Sequence, residues 1–190
     1  MEASNYCMMQ HDDTQLISRI LKGDVRGYVG LVDQYKDLAY TIAFRILGKR
    51  EDSEEVVQDA FVKAFHNLST FRHHAKFSTW LYRIVYNTAV SKKRLKGFPH
   101  QLVEDYKHAD TFLEEEEAND QEQAGMIEMA MNQLTEEERT IVTLYYIDES
   151  SVDDIHTITG LTRSNVKVKL FRARKKMQEY VKSSALTLYG

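Results

Sequence analysis

The chain has 190 residues, 43% of them hydrophobic, with one proline and eight glycines, which allows one or two helical domains and excludes compositional disorder or a turn-rich sheet protein. The formal net charge of −4 excludes a uniformly basic surface, so any attraction to nucleic acid must come from local basic segments. No apolar run is long enough to span a bilayer, the N-terminus lacks an export signal, and Cys7 is the only cysteine, so we expect a cytoplasmic protein without direct membrane insertion.

The first two predicted helices are defined by apolar residues that recur every three or four positions. Thr14 is placed to cap a short helix, which Gly23 ends. A longer periodic segment begins at Val25 and ends at Gly48. These signals predict a helical start to the N-terminal half.

Two further helices are predicted before residue 97. Asp52 and Glu55 have the spacing of a capping box at the start of the third helix. Residues 69–77 break the periodicity and are predicted to form a loop. Ser78 then begins the fourth helix, which ends at about Lys96 because glycine and proline follow.

Residues 97–125 lose the apolar periodicity and become strongly acidic. This segment holds one basic and nine acidic side chains, including the run Glu114–Glu117, whereas residues 1–96 hold 15 basic and 11 acidic ones. Such a composition is typical of a solvated, flexible linker.

The C-terminal segment has the layout of a helix-turn-helix. Periodicity resumes near Met126, and a capping box at Thr135 precedes a further helix. Ser151 begins a short helix, Gly160 breaks it, and a last helix is predicted from residue 162 to 181.

The predicted fold is all-α, with an N-terminal helical bundle and a C-terminal helix-turn-helix joined by the acidic flexible linker. The expected boundaries are residues 14–96, 97–125 and 126–184.

The last predicted helix separates into an apolar stripe and a basic face. Residues 163–182 carry eight basic side chains against one acidic one, Glu179. A single helix fits the DNA major groove, where its first residues reach base edges, flanking cations contact phosphates, and an apolar side chain can touch a thymine methyl. The candidates for duplex DNA binding are Arg163, Ser164, Asn165, Lys167, Val168, Lys169, Phe171, Arg172 and Lys175. The alternative is a surface helix with solvated lysines.

The fourth helix and the loop before it mix aromatic rings with cations. Bases of single-stranded DNA stack on such rings while cations follow the backbone. The candidates are Phe71, Arg72, Lys76, Thr79, Tyr82, Arg83, Tyr86, Asn87, Lys93 and Arg94. Trp80 lies on the apolar side and is expected in the core, whereas Tyr82 and Tyr86 are expected to be exposed.

The third helix carries an acidic and polar face beside its apolar side, formed by Glu54, Glu55, Gln58, Asp59 and Lys63. Two interpretations are equally consistent with this face: a binding surface for a basic protein partner, or an ordinary solvated surface.

Four sequence strings, in this order, resemble the extracytoplasmic-function class of bacterial sigma factors. They are EDSEEVVQDAFVKAFHNL, FSTWLYRIVYNTAVSKKR, LTEEERTIVTLYY and VKVKLFRARKKM, with the acidic linker between the second and third. The resemblance covers roughly residues 20–96 and 126–182.

The resemblance implies a protein that binds core RNA polymerase, at its clamp region and flap, and directs initiation at promoters. The implied clamp-binding residues are Asp52, Glu55, Gln58, Asp59 and Lys63. The loop at 71–77 and the helix after it would melt and capture the downstream promoter element, and the helix from Arg163 to Lys176 would read the upstream element. An anti-sigma factor is the implied regulator.

An enzyme is not indicated. The sequence has no glycine-rich phosphate loop, no HExxH motif and no zinc-type cysteine pairs, so no catalytic residue, metal or cofactor is expected. His73 and His74 are interpreted as exposed loop residues. The alternative function is a conventional helix-turn-helix regulator with an N-terminal sensory domain, which would not bind polymerase as a sigma factor does.

Overall fold

The computed structural model describes residues 13–96 and 118–189, with side chains described at 13–96 and 125–184, and within these ranges the chain is helical with no strand. Cys7 and the run Glu114–Glu117 of the predicted linker lie outside the described residues. The helices are α1 (residues 13–21), α2 (Tyr28–Leu47), α3 (Arg50–Asn67), α4 (Phe77–Leu95), α5 (Ala118–Asn132), α6 (Glu136–Tyr146), α7 (Val152–Thr159) and α8 (Arg163–Tyr189).

Helices α2, α3 and α4 pack against one another as the N-terminal bundle. Each contributes one apolar stripe, because residues three and four apart lie on the same side of a helix. The fully buried side chains of this core include Leu31, Ala39, Ile42, Val56, Ala60, Leu81 and Val85. Gly48 ends α2 in the left-handed conformation (φ 66°), as the sequence predicts, because a Cβ disfavours that backbone.

The C-terminal helices begin and end where local signals place them. Thr135 and Glu138 form the predicted capping box of α6, and Ser151 forms one with Asp154 at the start of α7. Gly160 ends α7 at φ 76°, and α8 follows after two residues. The predicted helix-turn-helix is therefore confirmed.

Three predicted helix starts in the N-terminal half are wrong. Residue 13 is already helical, so Thr14 lies inside α1, and α4 begins at Phe77, ahead of Ser78. Helix α3 begins at Arg50 without a side-chain cap, and Asp52 lies inside its first turn. Helix α4 likewise begins without a side-chain cap, so residue spacing by itself was insufficient to place these helix starts.

Two helix boundaries in the C-terminal half also differ from the predicted ones. Helix α5 begins at Ala118, inside the segment expected to be a flexible linker, and α8 continues to Tyr189 instead of ending near residue 181. The start of α5 lacks apolar periodicity, so the pattern that revealed the other helices gave no signal there.

The two halves of the chain contact each other. Helix α7 packs on α4, α6 contacts α2, and Arg45 of α2 forms a two-pronged ion pair with Glu128 of α5. In the parts of the chain that are described, no helix combines the length and apolar character needed to cross a membrane.

Candidate nucleic-acid interface

Helix α8 exposes its basic face and buries the predicted apolar stripe. Val166, Leu170 and Ala173 are at most 4% exposed and fix α8 against α6 and α7. The opposite face is open to solvent at most of the predicted DNA-binding positions: Arg163, Ser164, Asn165, Lys167, Val168, Phe171, Arg172 and Lys175. The packing of α8 thus presents the face that the sequence predicted.

The basic side chains of α8 differ in how they are held. Lys169 forms an ion pair with Glu137, and Lys176 lies 2.7 Å from Glu138. Arg174 lies over the rings of Tyr145 and Tyr146, 5.2 and 5.5 Å from their centroids. These cations hold α8 against α6, a role that the helical wheel of α8 could not reveal.

Lys167 and Arg172 are the freest cations of this face. Both are exposed, and neither makes a hydrogen bond or an ion pair to the described part of the chain. Arg163 pairs with Asp153, and Lys175 approaches Glu179 to 3.8 Å. Phosphate contact therefore costs Lys167 and Arg172 no existing interaction.

Two apolar side chains interrupt the cations on this face. Phe171 is 68% exposed and Val168 is 44% exposed. Such exposure is unfavourable in water, and both side chains are suited to contact thymine methyl groups in a major groove.

Helix α4 has two polar faces with opposite environments. Arg83, Asn87 and Arg94 are exposed on the outer face. Tyr82 and Thr79, in contrast, are only 2% and 1% exposed. Thr79 donates a hydrogen bond to Asp154 of α7, and the Tyr82 ring lies 6.2 Å from that of Tyr35 in α2, near the carboxylates of Asp13 and Asp148. The expectation that Tyr82 is exposed is therefore wrong in this arrangement, and Tyr86 is half-buried.

On the covered face of α4, burial raises the pKa values of two groups, Tyr82 and Asp148. Burial raises the pKa of Tyr82 well above its ordinary value, and the nearby carboxylates of Asp148 and Asp13 raise it further. Burial also raises the pKa of Asp148, which the hydrogen bond from Ser150 and the charge of Lys76 partly offset.

A groove between α3 and α4 adds a feature that sequence reasoning missed. It is an open groove with a volume of about 440 Å³, and it is lined by Lys63, Asn67, Thr70, Trp80, Ile84, Asn87, Thr88 and Ser91. Lys63 donates a hydrogen bond to Thr88 across it (3.2 Å). Trp80 packs against the core, as the sequence predicts, but it is only half-buried and its remaining surface forms one wall of the groove. The two helices are distant in sequence, so no single-helix pattern could indicate the groove.

The loop before α4 is anchored by its first aromatic residue. Phe71 is 8% exposed, and its ring centroid lies 5.6 Å from that of Phe77 and 5.5 Å from that of Trp80. Arg72, His73 and His74 are exposed, as expected for loop residues. The loop thus presents polar groups beside the groove while Phe71 holds it to the bundle.

The acidic face of α3 divides into a buried and an exposed part. Asp52 is 7% exposed and pairs with Lys96 and Lys92, which hold the pKa of its carboxyl below the ordinary value against the effect of burial. Glu55 lies 2.6 Å from Lys92 but remains largely exposed. Gln58 and Asp59 are exposed as well.

Among the residues with described side chains, no group of three or more histidine, cysteine, aspartate or glutamate side chains is placed to hold a metal ion.

Comparison with known proteins matches both halves of the chain. Residues 31–97 match the family described as Sigma-70 region 2, and residues 124–177 match Sigma-70, region 4. The chain is 31% identical over 177 residues to the ECF RNA polymerase sigma factor SigW of Bacillus subtilis, covering 87% of this chain and 95% of that protein. It is also 31% identical to the RNA polymerase sigma-H factor of Pseudomonas aeruginosa, with 88% and 93% covered.

The fold is similar to that of a solved complex. The sigma factor RpoE of Bartonella quintana, crystallised with the anti-sigma factor NepR, superposes with a TM-score of 0.65 at 21% identity, covering 82% of this chain and 96% of that one. At this identity the likeness concerns the fold.

Proposed function

Because the chain belongs to the extracytoplasmic-function class of the sigma-70 family, we propose that it binds core RNA polymerase and directs initiation at specific promoters. It acts in the cytoplasm as a binding protein and not as an enzyme, and RNA synthesis belongs to the polymerase. The observation that carries the proposal is that one chain holds both family regions, at 31–97 and 124–177, each with an exposed polar and cationic surface.

The upstream promoter element is read by α8. The first turns of the helix, at Arg163, Ser164 and Asn165, are exposed and can enter the major groove. Lys167, Lys169, Arg172 and Lys175 contact phosphates, and Val168 and Phe171 contact thymine methyl groups. Lys169 would have to exchange its carboxylate partner for a phosphate.

The melted downstream element is held by α4, the preceding loop and the groove behind Trp80. The accessible contacts in this arrangement are Arg72, Arg83, Asn87 and Arg94. Phe71, Lys76, Thr79, Tyr82, Tyr86 and Lys93 complete the set. Of these, Phe71 acts by holding the loop, and the others lie at the contact with the C-terminal half or are partly buried, so they contact DNA only after the two halves separate.

Core polymerase is contacted at its clamp through the exposed part of α3, formed by Glu55, Gln58 and Asp59, and at its flap through the C-terminal half. Lys63 lies at the edge of this surface, where it borders the groove. Asp52 lies beneath the surface, where Lys92 and Lys96 hold it, so it stabilises the surface from inside the fold. An anti-sigma factor restrains the free protein.

The test is a run-off assay with purified core polymerase and a set of candidate promoters. A sigma factor starts transcription on a core enzyme that is otherwise inactive at promoters, whereas a conventional helix-turn-helix regulator has no effect without another sigma factor. Arg83→Ala and Asn87→Ala are expected to lower run-off at least several-fold, because each removes an accessible contact to the single strand. Lys22→Ala, an exposed cation of the α1–α2 turn, serves as the control. No transcript from any template with the parental chain would refute the proposal.

A further inference from the structure

The turn between α7 and α8 is short and is held from both sides by one residue of α7. Residues 160–162 separate the two helices, and Gly160 has φ 76°. The N–H of Gly160 donates to the carbonyl of His156 (2.9 Å), which ends α7 in the manner of a left-handed cap. The backbone of His156 thus holds the beginning of the turn.

The imidazole of His156 holds the other end of the same turn. Its Nδ1 lies 2.6 Å from the carbonyl oxygen of Leu161, five residues further along the chain. A carbonyl oxygen can only accept a hydrogen bond, so Nδ1 carries the proton and donates. His156 therefore contacts the turn twice, through its own carbonyl and through its ring.

Leu161 directly precedes the N-cap residue of α8. The hydroxyl of Thr162 accepts a hydrogen bond from the N–H of Asn165 (3.2 Å), and its carbonyl accepts one from the N–H of Val166 (2.9 Å), which makes Thr162 the N-cap. The carbonyl of Leu161 and the N–H of Thr162 belong to one planar peptide unit. A hydrogen bond to that carbonyl therefore fixes the peptide plane that leads into the first turn of α8.

The first turn of α8 is less firmly attached than the middle of the helix, where Lys169 and Arg174 contact α6. Arg163 pairs with Asp153, but these side chains are 63% and 68% exposed, so solvent screens the pair. Val166 is the first buried residue of the helix. The partly buried imidazole bond is better shielded from water than the ion pair, so it has the larger influence on the direction of the first turn.

The direction of this turn affects base contacts more than phosphate contacts. Ser164 and Asn165 are exposed there, and hydrogen bonds to base edges weaken steeply when their angle changes. Lys167 and Arg172 have long side chains that can follow a phosphate when the helix axis tilts, and phosphate contacts carry no sequence information. Misdirection of the first turn should therefore reduce discrimination between sequences more than it reduces overall attraction to DNA.

We propose that His156 is a positioning residue for promoter reading, which directs the first turn of α8 into the major groove through its ring hydrogen bond to Leu161. This inference rests on the proposed function, because the positioned turn is the one that reads the upstream element. His156 itself contacts no base in this role. It acts through the peptide that joins Leu161 to Thr162.

The role is tested with His156→Leu and His156→Asn in the full-length chain. The two replacements have nearly the same shape, but only asparagine keeps an N–H donor in about the place of the imidazole Nδ1. His66→Ala removes an exposed histidine from the last turn of α3 and serves as the control.

Binding is measured by fluorescence anisotropy with two labelled duplexes. One is a sequence that the parental chain selects from a random pool, and the other has the same bases in scrambled order. Circular dichroism establishes that each variant is folded at the assay temperature, and amide hydrogen exchange at Asn165 and Val166 reports the order of the first turn.

His156→Leu should bind the selected duplex about fivefold more weakly than the parental chain, as expected for the loss of one partly buried hydrogen bond. Its affinity for the scrambled duplex should stay within about twofold of the parental value, because phosphate contacts remain. Amide exchange at Asn165 and Val166 should become faster. His156→Asn should recover most of the lost affinity, and His66→Ala should bind both duplexes like the parental chain.

Three results would overturn the inference. Unchanged binding of the selected duplex by folded His156→Leu would mean that the bond stabilises the turn without directing α8. Equal losses on both duplexes would mean that it supports the whole helix, and equal losses in His156→Leu and His156→Asn would mean that the shape of the ring matters and not its donor.

The selection step separates this inference from the proposed function. If the parental chain enriches no sequence from the pool, the proposed reading of the upstream element fails, and the positioning role fails with it. Enrichment by the parental chain, together with unchanged binding by His156→Leu, refutes the positioning role alone.

Discussion

The exposed cations Lys167 and Arg172 allow a quantitative test of duplex binding by α8. Neither has a partner within the described residues, so each can neutralise one phosphate at no internal cost. Every neutralised phosphate contributes about 0.9 to the slope of log affinity against log salt. Replacing one of the two by alanine should lower the slope by about 0.9, and the double variant by about 1.8.

The same reasoning gives the loss of affinity. Binding to DNA releases counterions, so affinity falls as a power of the salt concentration. The double variant should therefore bind a duplex about 60-fold more weakly than the parental chain at about 0.1 M salt and approach parental affinity near 1 M. Fluorescence anisotropy on a labelled duplex across this salt range measures both quantities. The sequence of the duplex is unimportant, since phosphate contacts are independent of sequence.

Lys182→Ala provides the matched control for this measurement. It removes one positive charge from the same helix, about 15 Å beyond Arg172 along the helix axis. At that distance a helix bound in the groove has moved away from the DNA backbone. Its slope should equal the parental slope. If Lys182→Ala changes the slope as much as Arg172→Ala does, the effect is one of net charge and the assignment of the α8 face is refuted.

Two further predictions concern stability and are checked by chemical denaturation followed by circular dichroism. Burial would raise the pKa of Glu138, but Lys176 and the N–H of Thr135 hold it below its ordinary value, so its contribution is present at neutral pH and is lost as pH falls through that lowered pKa. Glu138→Gln should therefore lower the free energy of unfolding by about 1–2 kcal/mol at pH 7, and the difference between variant and parental chain should disappear on acidification below about pH 4. A difference in unfolding free energy that does not depend on pH would contradict the assignment. Gly160→Ala should cost about 1–2 kcal/mol because the residue has φ 76°, although a Cβ would meet no atom within 4 Å. At Gly125 a Cβ is equally unobstructed but the residue lies in a right-handed helix, so Gly125→Ala should instead raise the free energy of unfolding by up to about 1 kcal/mol. A loss of stability in both variants would point to steric clashes and not to backbone conformation.

Local signals in the sequence predicted the ends of several helices correctly. The capping box at Thr135, the helix start at Ser151 and the helix ends at Gly48 and Gly160 are all present. Each depends on interactions within four residues along the chain, so a linear pattern contains the necessary information. The stripe of α8 was predicted for the same reason, because that helix buries one side only.

Side chains whose partners come from distant segments were predicted poorly. Asp52 looked like a cap or a contact for a partner protein, but it is held by Lys96, 44 positions away. Tyr82 looked exposed on a helical wheel of α4, but that helix packs against α7 as well as α2 and α3. A wheel shows which residues share a side and cannot show how many sides are covered.

The amino-acid order by itself determined an all-helical chain, a helix-turn-helix near its C-terminus and the basic face of α8, because helical periodicity and capping are short-range properties. Only the tertiary structure decided that a groove lies between Lys63 and Trp80, that Arg174 is held by two tyrosines, and that the inner face of α4 is closed. These features arise where separate helices meet, and the energy of such contacts depends on three-dimensional proximity, which sequence spacing does not encode.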